Sequence, residues 1–160
     1  MRYLPRTTIL VTVLLFSGGG VTGEESSADA ASVLPIAVEQ SFLDGEGLSA
    51  GDPSEFDEEG VSREDGEEPA PFGVHNFHTG KIMVSVYEAE PGKVYIDGLP
   101  YDEFIQVLEG RLILTPDSGG RYEFKQGESL VLPRGYKGHW EMPEKYRELI
   151  IINADYGKVE

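Results

Sequence analysis

Glu103-Phe104-Ile105-Gln106-Val107-Leu108-Glu109-Gly110-Arg111-Leu112-Ile113-Leu114-Thr115 is the stretch on which the fold turns. Two runs of aliphatic and β-branched residues meet at Glu109-Gly110, and a glycine at a tight turn can take the positive φ that other residues resist. The stretch therefore reads as two strands, 103–108 and 111–115, joined at Gly110. Strand alternation puts Tyr101, Glu103, Ile105 and Val107 on one face. That face is aliphatic apart from a phenol and a carboxylate. A carboxylate is costly to bury unless it is paired, hydrogen-bonded or protonated, so Glu103 is the first candidate for chemistry.

Working outward, the same short β-prone runs recur at 81–88, 93–97, 122–124, 129–132, 138–142 and 147–153. Turn residues separate them: Pro91-Gly92, Gly98 with Pro100, Asp117 to Gly120, Gln126-Gly127, Pro133 with Gly135, and Pro143. No stretch of useful length has a helical period. Strands repeating about every 8 to 12 residues with Gly and Pro between them predict an all-β sandwich or barrel.

The 160 residues leave room for one domain of ordinary size. There is no cysteine, which excludes a disulfide framework, a thiolate metal site and a cysteine nucleophile. The net charge of -16 argues against nucleic acid and anionic lipid as partners, since both are bound through Lys and Arg. Most of that charge lies in residues 24–68, where 15 Asp and Glu face a single basic residue, Arg63. Rich also in Gly, Ser and Pro, this stretch buries too little apolar surface to offset the entropy of ordering it. It reads as a largely disordered acidic arm, 24–71, in which 33–43 is apolar enough to dock or to add an edge strand. Residues 1–23 read as a signal peptide: Arg2 and Arg6, an apolar run over 7–16, then a polar segment and a small-residue cleavage site at Gly23. The apolar run is about half the roughly 20 residues that span a bilayer, so no stable span is expected after cleavage. A periplasmic or secreted location follows as an expectation.

Two blocks carry a resemblance. The first is Glu103 to Gly110; the second is Gly127-Glu128-Ser129-Leu130-Val131-Leu132-Pro133-Arg134-Gly135. A Glu ahead of a hairpin Gly, followed by Gly, five residues, Pro, one residue and Gly, resembles the two conserved blocks of the cupin superfamily. Gly135-Tyr136-Lys137-Gly138-His139-Trp140-Glu141, with Glu88 to Lys93 upstream, narrows the likeness to small single-domain cupins of the ureidoglycine aminohydrolase and ethanolamine-utilisation group. The resemblance implies a single double-stranded β-helix, a cupin jelly-roll barrel, over 72–160. It also implies a small-molecule ligand in the barrel and pairing as a homodimer.

Metal-binding cupins hold their ion with two histidines ahead of the Glu and a third after the Pro-x-Gly. Here those positions fall on Ile96 and Gly98, or on Asp97 and Leu99 in the other register, and on Gly138 with His139 one residue late. One carboxylate cannot hold a transition metal alone, so no metal and no other cofactor is expected. A divalent ion on Asp97, Tyr101 and Glu103 is the lesser alternative. Without a metal, Glu103 is either a candidate acid/base, its pKa raised by burial and a neighbouring acid, or a buried structural acid satisfied by tyrosine hydroxyls. Tyr95, Asp97, Tyr101, Glu103, Tyr136 and Trp140 are the candidate ligand-binding set. Tyr87 carries the same ambiguity between ligand contact and core packing. Arg134 and Lys137 lie on the turn near the expected mouth, and His75 and His78 read as surface residues of a loop.

Overall fold

In the computed structural model the described residues are 33–52, 61–63 and 70–153. The signal peptide read at 1–23 lies outside them. The chain divides into a unit of residues 1–34 and a unit of 35–160, and the second carries every regular element described. One helical turn, α1 (Gln40–Leu43), is followed by eleven strands: β1 (Ser49–Ala50), β2 (Val61–Arg63), β3 (Phe72–Thr79), β4 (Ile82–Ala89), β5 (Gly92–Asp97), β6 (Glu103–Glu109), β7 (Arg111–Pro116), β8 (Tyr122–Lys125), β9 (Ser129–Leu132), β10 (Lys137–Met142) and β11 (Tyr146–Asn153).

These strands form two antiparallel sheets, ordered β1-β3-β4-β11-β6-β9 and β2-β5-β10-β7-β8. From β4 onward the chain changes sheet at each connection except the β7–β8 hairpin, which winds it into a double-stranded β-helix. All-β architecture and all eight expected strands are present, with ends shifted by at most one residue.

The turn at Gly110 shows why the decisive stretch folds as it does. Its φ is 71°, and a Cβ there would collide with the carbonyl oxygen of Lys145. Only glycine lets β6 and β7 separate into different sheets so tightly at this point. Alternation then sends Ile105 and Val107 inward from β6, and Leu112 and Leu114 inward from β7. Trp140 and Met142 of β10 and Tyr146 and Ile152 of β11 complete a core shared by both sheets. Ile105 has no exposed surface. Ile105→Ala is expected to cost about 2–5 kcal/mol, through lost burial plus the cavity left behind, and urea unfolding of the two proteins measures it.

Sequence reading missed three strands. β1 and β2 are edge strands of two and three residues inside the stretch read as a largely disordered arm. They are made by backbone pairing with β3 and β5 rather than by apolar content. The other parts of the arm, 24–32, 53–60 and 64–69, lie outside the described residues. β3 carries His75 and His78, so these histidines are on a strand and not in a loop. Its register against β4 shifts between Asn76 and His78, and this bulge breaks the two-residue period by which a strand is recognised.

The α1 segment is fastened to the outer face of the larger sheet. Phe42 stacks on His75 with ring centroids 3.5 Å apart and meets Phe77 edge-on at 5.8 Å. Arg147 donates from Nε to the Leu43 carbonyl at 2.8 Å, and from Nη1 to Glu88 at 2.6 Å while Nη1 also lies 2.7 Å from Glu109. Lys145 adds a second cation, 2.9 Å from Glu88.

Candidate functional site in the barrel

Glu103 opens β6 and is 6% exposed, between Tyr101 at 7% and Ile105 at 0%, while Phe104 turns outward. Alternation therefore places the acid inside the barrel, as the sequence predicts. The register of β6 on β11 sets Glu103 opposite Ile152, Ile105 opposite Ile150 and Val107 opposite Glu148. A second carboxylate thus enters the same interior, 3% exposed, on the face that carries Tyr146, Ile150 and Ile152. Across the neighbouring ladder Glu148 stands opposite Tyr87 of β4.

The electrostatics follow from that placement. Tyr146 Oη donates a hydrogen bond to Glu148 Oε2 at 2.5 Å. Burial pushes Glu148 up to about 8, and the Tyr146 hydrogen bond pulls the other way without cancelling it. Tyr146 itself is driven far above the ordinary phenol range by burial first, then by the charge and hydrogen bond of Glu148 and by the charge of Glu103. Burial, with the Glu148 charge behind it, also raises Tyr87. The two acids and two phenols form one electrostatic unit inside a largely apolar barrel. A carboxyl that binds its proton near neutral pH can give or take one, and can hydrogen-bond a ligand in either state.

Of the residues singled out in the sequence, Tyr101, Glu103 and Trp140 are brought together in the core, with Tyr136 half-buried against it. Burial raises the Tyr136 phenol to about 12, helped by the charge of Asp117, and its hydroxyl donates to the His139 carbonyl at 3.0 Å. Tyr95 and Asp97 are placed elsewhere. Ile96, 4% exposed, takes the inward position on β5, so its neighbours point out. Tyr95 donates to Asp117 at 2.7 Å on the outer face, and Asp97 pairs with Lys137 at 2.5 Å. The lesser alternative of an oxygen site on Asp97, Tyr101 and Glu103 is therefore not assembled. Arg134 is exposed, and its backbone N–H donates to Asp102.

Glu148 and Tyr146 were missed. Their signal was present: Tyr146, Glu148, Ile150 and Ile152 alternate in phase, so an acid stood in register with two isoleucines.

The donors do not fit the metal centre of metal-binding cupins. Ile96 is core, Gly98 is a left-handed turn residue with φ 89°, Gly138 has no side chain, and His139 turns outward against the Tyr95 ring. His75 and His78 lie on the other sheet, His75 under Phe42 on its outer face. Among the described residues no three His, Asp or Glu side chains converge on a point that could hold an ion.

Comparison with known proteins adds a family match over part of the chain and a likeness of fold. Residues 78–148 match the family described as the EutQ-like cupin domain. The Clostridium difficile EutQ protein shares 22% identity over 68% of this chain and 97% of its own, with a TM-score of 0.51. A Salmonella typhimurium LT2 protein described as ethanolamine utilization protein Q is 24% identical over 59% of this chain and 78% of its own, with a TM-score of 0.49. No curated protein matches the chain. The family match runs from the end of β3 into β11 and covers less than half of the chain. A domain of the matched kind is consistent with small-molecule binding.

Proposed function

We propose that this protein is an exported single-domain cupin that binds a small polar metabolite in its barrel, without a three-histidine metal centre, and that it pairs as a homodimer. One observation carries the reading: Glu103 and Glu148 are both buried, with Tyr87, Tyr101 and Tyr146 in the same interior, which is otherwise largely apolar. Buried acids lower stability relative to an apolar filling of the same shape, so a barrel that served only as scaffold would gain by replacing them. The charge and hydrogen-bonding capacity they retain suits a polar ligand. Export rests on Arg2, Arg6 and the apolar run after them.

A ligand that binds only the native state raises the unfolding temperature. Thermal unfolding in the presence of ureides, sugar acids and amines is expected to show a rise for one class, lost in Glu103→Gln. No rise with any class removes the support for the binding reading. Sedimentation of the mature protein tests the dimer.

The alternative is an enzyme acting on a ureide, sugar or amino compound with Glu103 as acid/base. The elevated proton affinity of Glu148 favours this reading too, because acid/base groups work best near ambient pH. Turnover abolished by Glu103→Gln or Glu148→Gln with the fold retained would select it over simple binding.

A further inference from the structure

We infer that the backbone of this barrel, and not only the identity of its side chains, closes it to a three-histidine metal centre. The inference goes beyond the binding proposal and stands whether or not a metabolite is found. It rests on the position after the Pro-x-Gly turn, Gly138. There φ is 148°, inside the region that side chains rarely adopt. Gly138 faces Ile96 on one side and Pro116 on the other. A Cβ at this position would run into the Thr115 carbonyl oxygen and lie 2.7 Å from Pro116 Cα and 3.0 Å from Tyr136 Oη.

Two of those three obstacles are backbone atoms of β7, held by the β7–β10 ladder in which His139 stands opposite Thr115. They cannot retreat without opening the smaller sheet. The third, the Tyr136 hydroxyl, is anchored on the His139 carbonyl at 3.0 Å. An imidazole therefore has no room at 138. The next residue, His139, has its ring 5.4 Å from that of Tyr95 on the outer face.

Position 98 is closed in a different way. Gly98 holds φ 89° between β5 and β6, and its Cβ direction leads to Lys137 Cε at 3.8 Å, part of the exposed pair with Asp97. Of positions 96 and 98 only 96, where Ile96 is buried in the core, presents a side chain inward; in the other register Leu99 does so and Asp97 does not. Restoring histidines thus supplies at most one new inward donor beside Glu103.

The test uses the full chain, stripped with chelator, loaded separately with Mn²⁺, Ni²⁺ or Zn²⁺, desalted and assayed for bound metal per chain. Wild type, Glu103→Gln and the double variant Ile96→His with Gly138→His are compared, with thermal unfolding of each. Ions held by the acidic arm are expected to be equal in wild type and Glu103→Gln. The double variant is expected to gain no ion. Its unfolding temperature should fall by about 5 °C or more, as for other overpacked cores. One equivalent bound by the double variant above the wild-type level overturns the inference, and so does a double variant that unfolds at the wild-type temperature. Should the double variant prove insoluble, Gly138→Ala decides: a fall of about 5 °C or more supports closure by the backbone, and an unchanged midpoint refutes it.

Discussion

Glu148→Gln is expected to make the protein more stable than wild type at pH 8, with the advantage shrinking to nothing as the pH falls towards 4.5. The sign comes from proton linkage. Folding raises Glu148 from its ordinary 4.5 to about 8. Below 4.5 the group carries its proton in both states and costs nothing. Between 4.5 and 8 the unfolded chain releases that proton while the folded chain keeps it, so stability falls by about 1.4 kcal/mol per pH unit. Above about 8 the folded state ionises too and the loss levels off. Over the whole window the contribution is a few kcal/mol, a large share of the stability of an ordinary domain. Glutamine keeps an oxygen to accept the Tyr146 hydroxyl and removes the ionisation. Urea unfolding of both proteins between pH 4.5 and 8.5 at constant ionic strength measures the difference. Taking a difference also cancels most of the self-repulsion of a chain with net charge -16. A variant no more stable than wild type at pH 8 would show that Glu148 is not held protonated by burial.

Arg147→Met is the second substitution with a large expected effect. The Arg147 side chain is only 11% exposed and serves Glu88, Glu109 and the Leu43 carbonyl at once. Burial works against the Glu88 charge, but hydrogen bonds from Lys145 and Arg147 and the charges behind them hold its pKa below the usual value. Removing Arg147 leaves Glu88 with Lys145 alone, Glu109 without this cation, and the Leu43 carbonyl without this donor. Because Glu88 keeps Lys145 and Glu109 is partly exposed, the loss is expected to be about 1.5–3 kcal/mol. The α1 segment should loosen along with it, because Phe42 on His75 and the two-residue β1 pairing are what then hold it. Hydrogen exchange at the amides of Asp44 and Gly45, bonded to the Gln40 and Phe42 carbonyls, is expected to speed up more than exchange in β6. Equal protection in the two proteins would show that the Arg147 network does not hold α1 to the sheet. The sign with pH is opposite to that of Glu148. A depressed carboxylate stabilises above its ordinary pKa and is lost as pH falls, so wild type and Arg147→Met should converge in acid.

How far the molecule can be read from its sequence depends on whether the signal is local. Strands β4 to β11 each carry their own alternation and are bounded by Gly or Pro, so the barrel is legible. β1 and β2 have too few residues to carry a period, and the bulge near Phe77 scrambles the period of β3. These three exist because a neighbouring strand offers them a ladder, which no single segment can reveal.

The site divides along the same line. Glu103 was legible because the apolar residues at 105 and 107 fix its phase. Tyr95 and Asp97 were expected inside because β5 alone leaves its phase open: Val94, Tyr95 and Ile96 are all β-formers. The core settles the choice in favour of Ile96. Alternation along β11 puts Glu148 beside Tyr146, and register brings it opposite Tyr87 and into the interior that holds Glu103. Register is a property of strand pairs, so the pairing of Glu148 with Tyr87 was not legible, although its alternation in phase with Tyr146, Ile150 and Ile152 was.

Glu148 is the most sensitive reporter of the carboxyl–phenol unit inside the barrel. Site-resolved ¹³C NMR titration of the glutamate carboxyl carbons, with Glu148→Gln used to assign the resonance, tests it directly. The Glu148 carboxyl is expected to titrate near 8. A Glu148 resonance that titrates in the ordinary carboxylate range near 4.5 would contradict it.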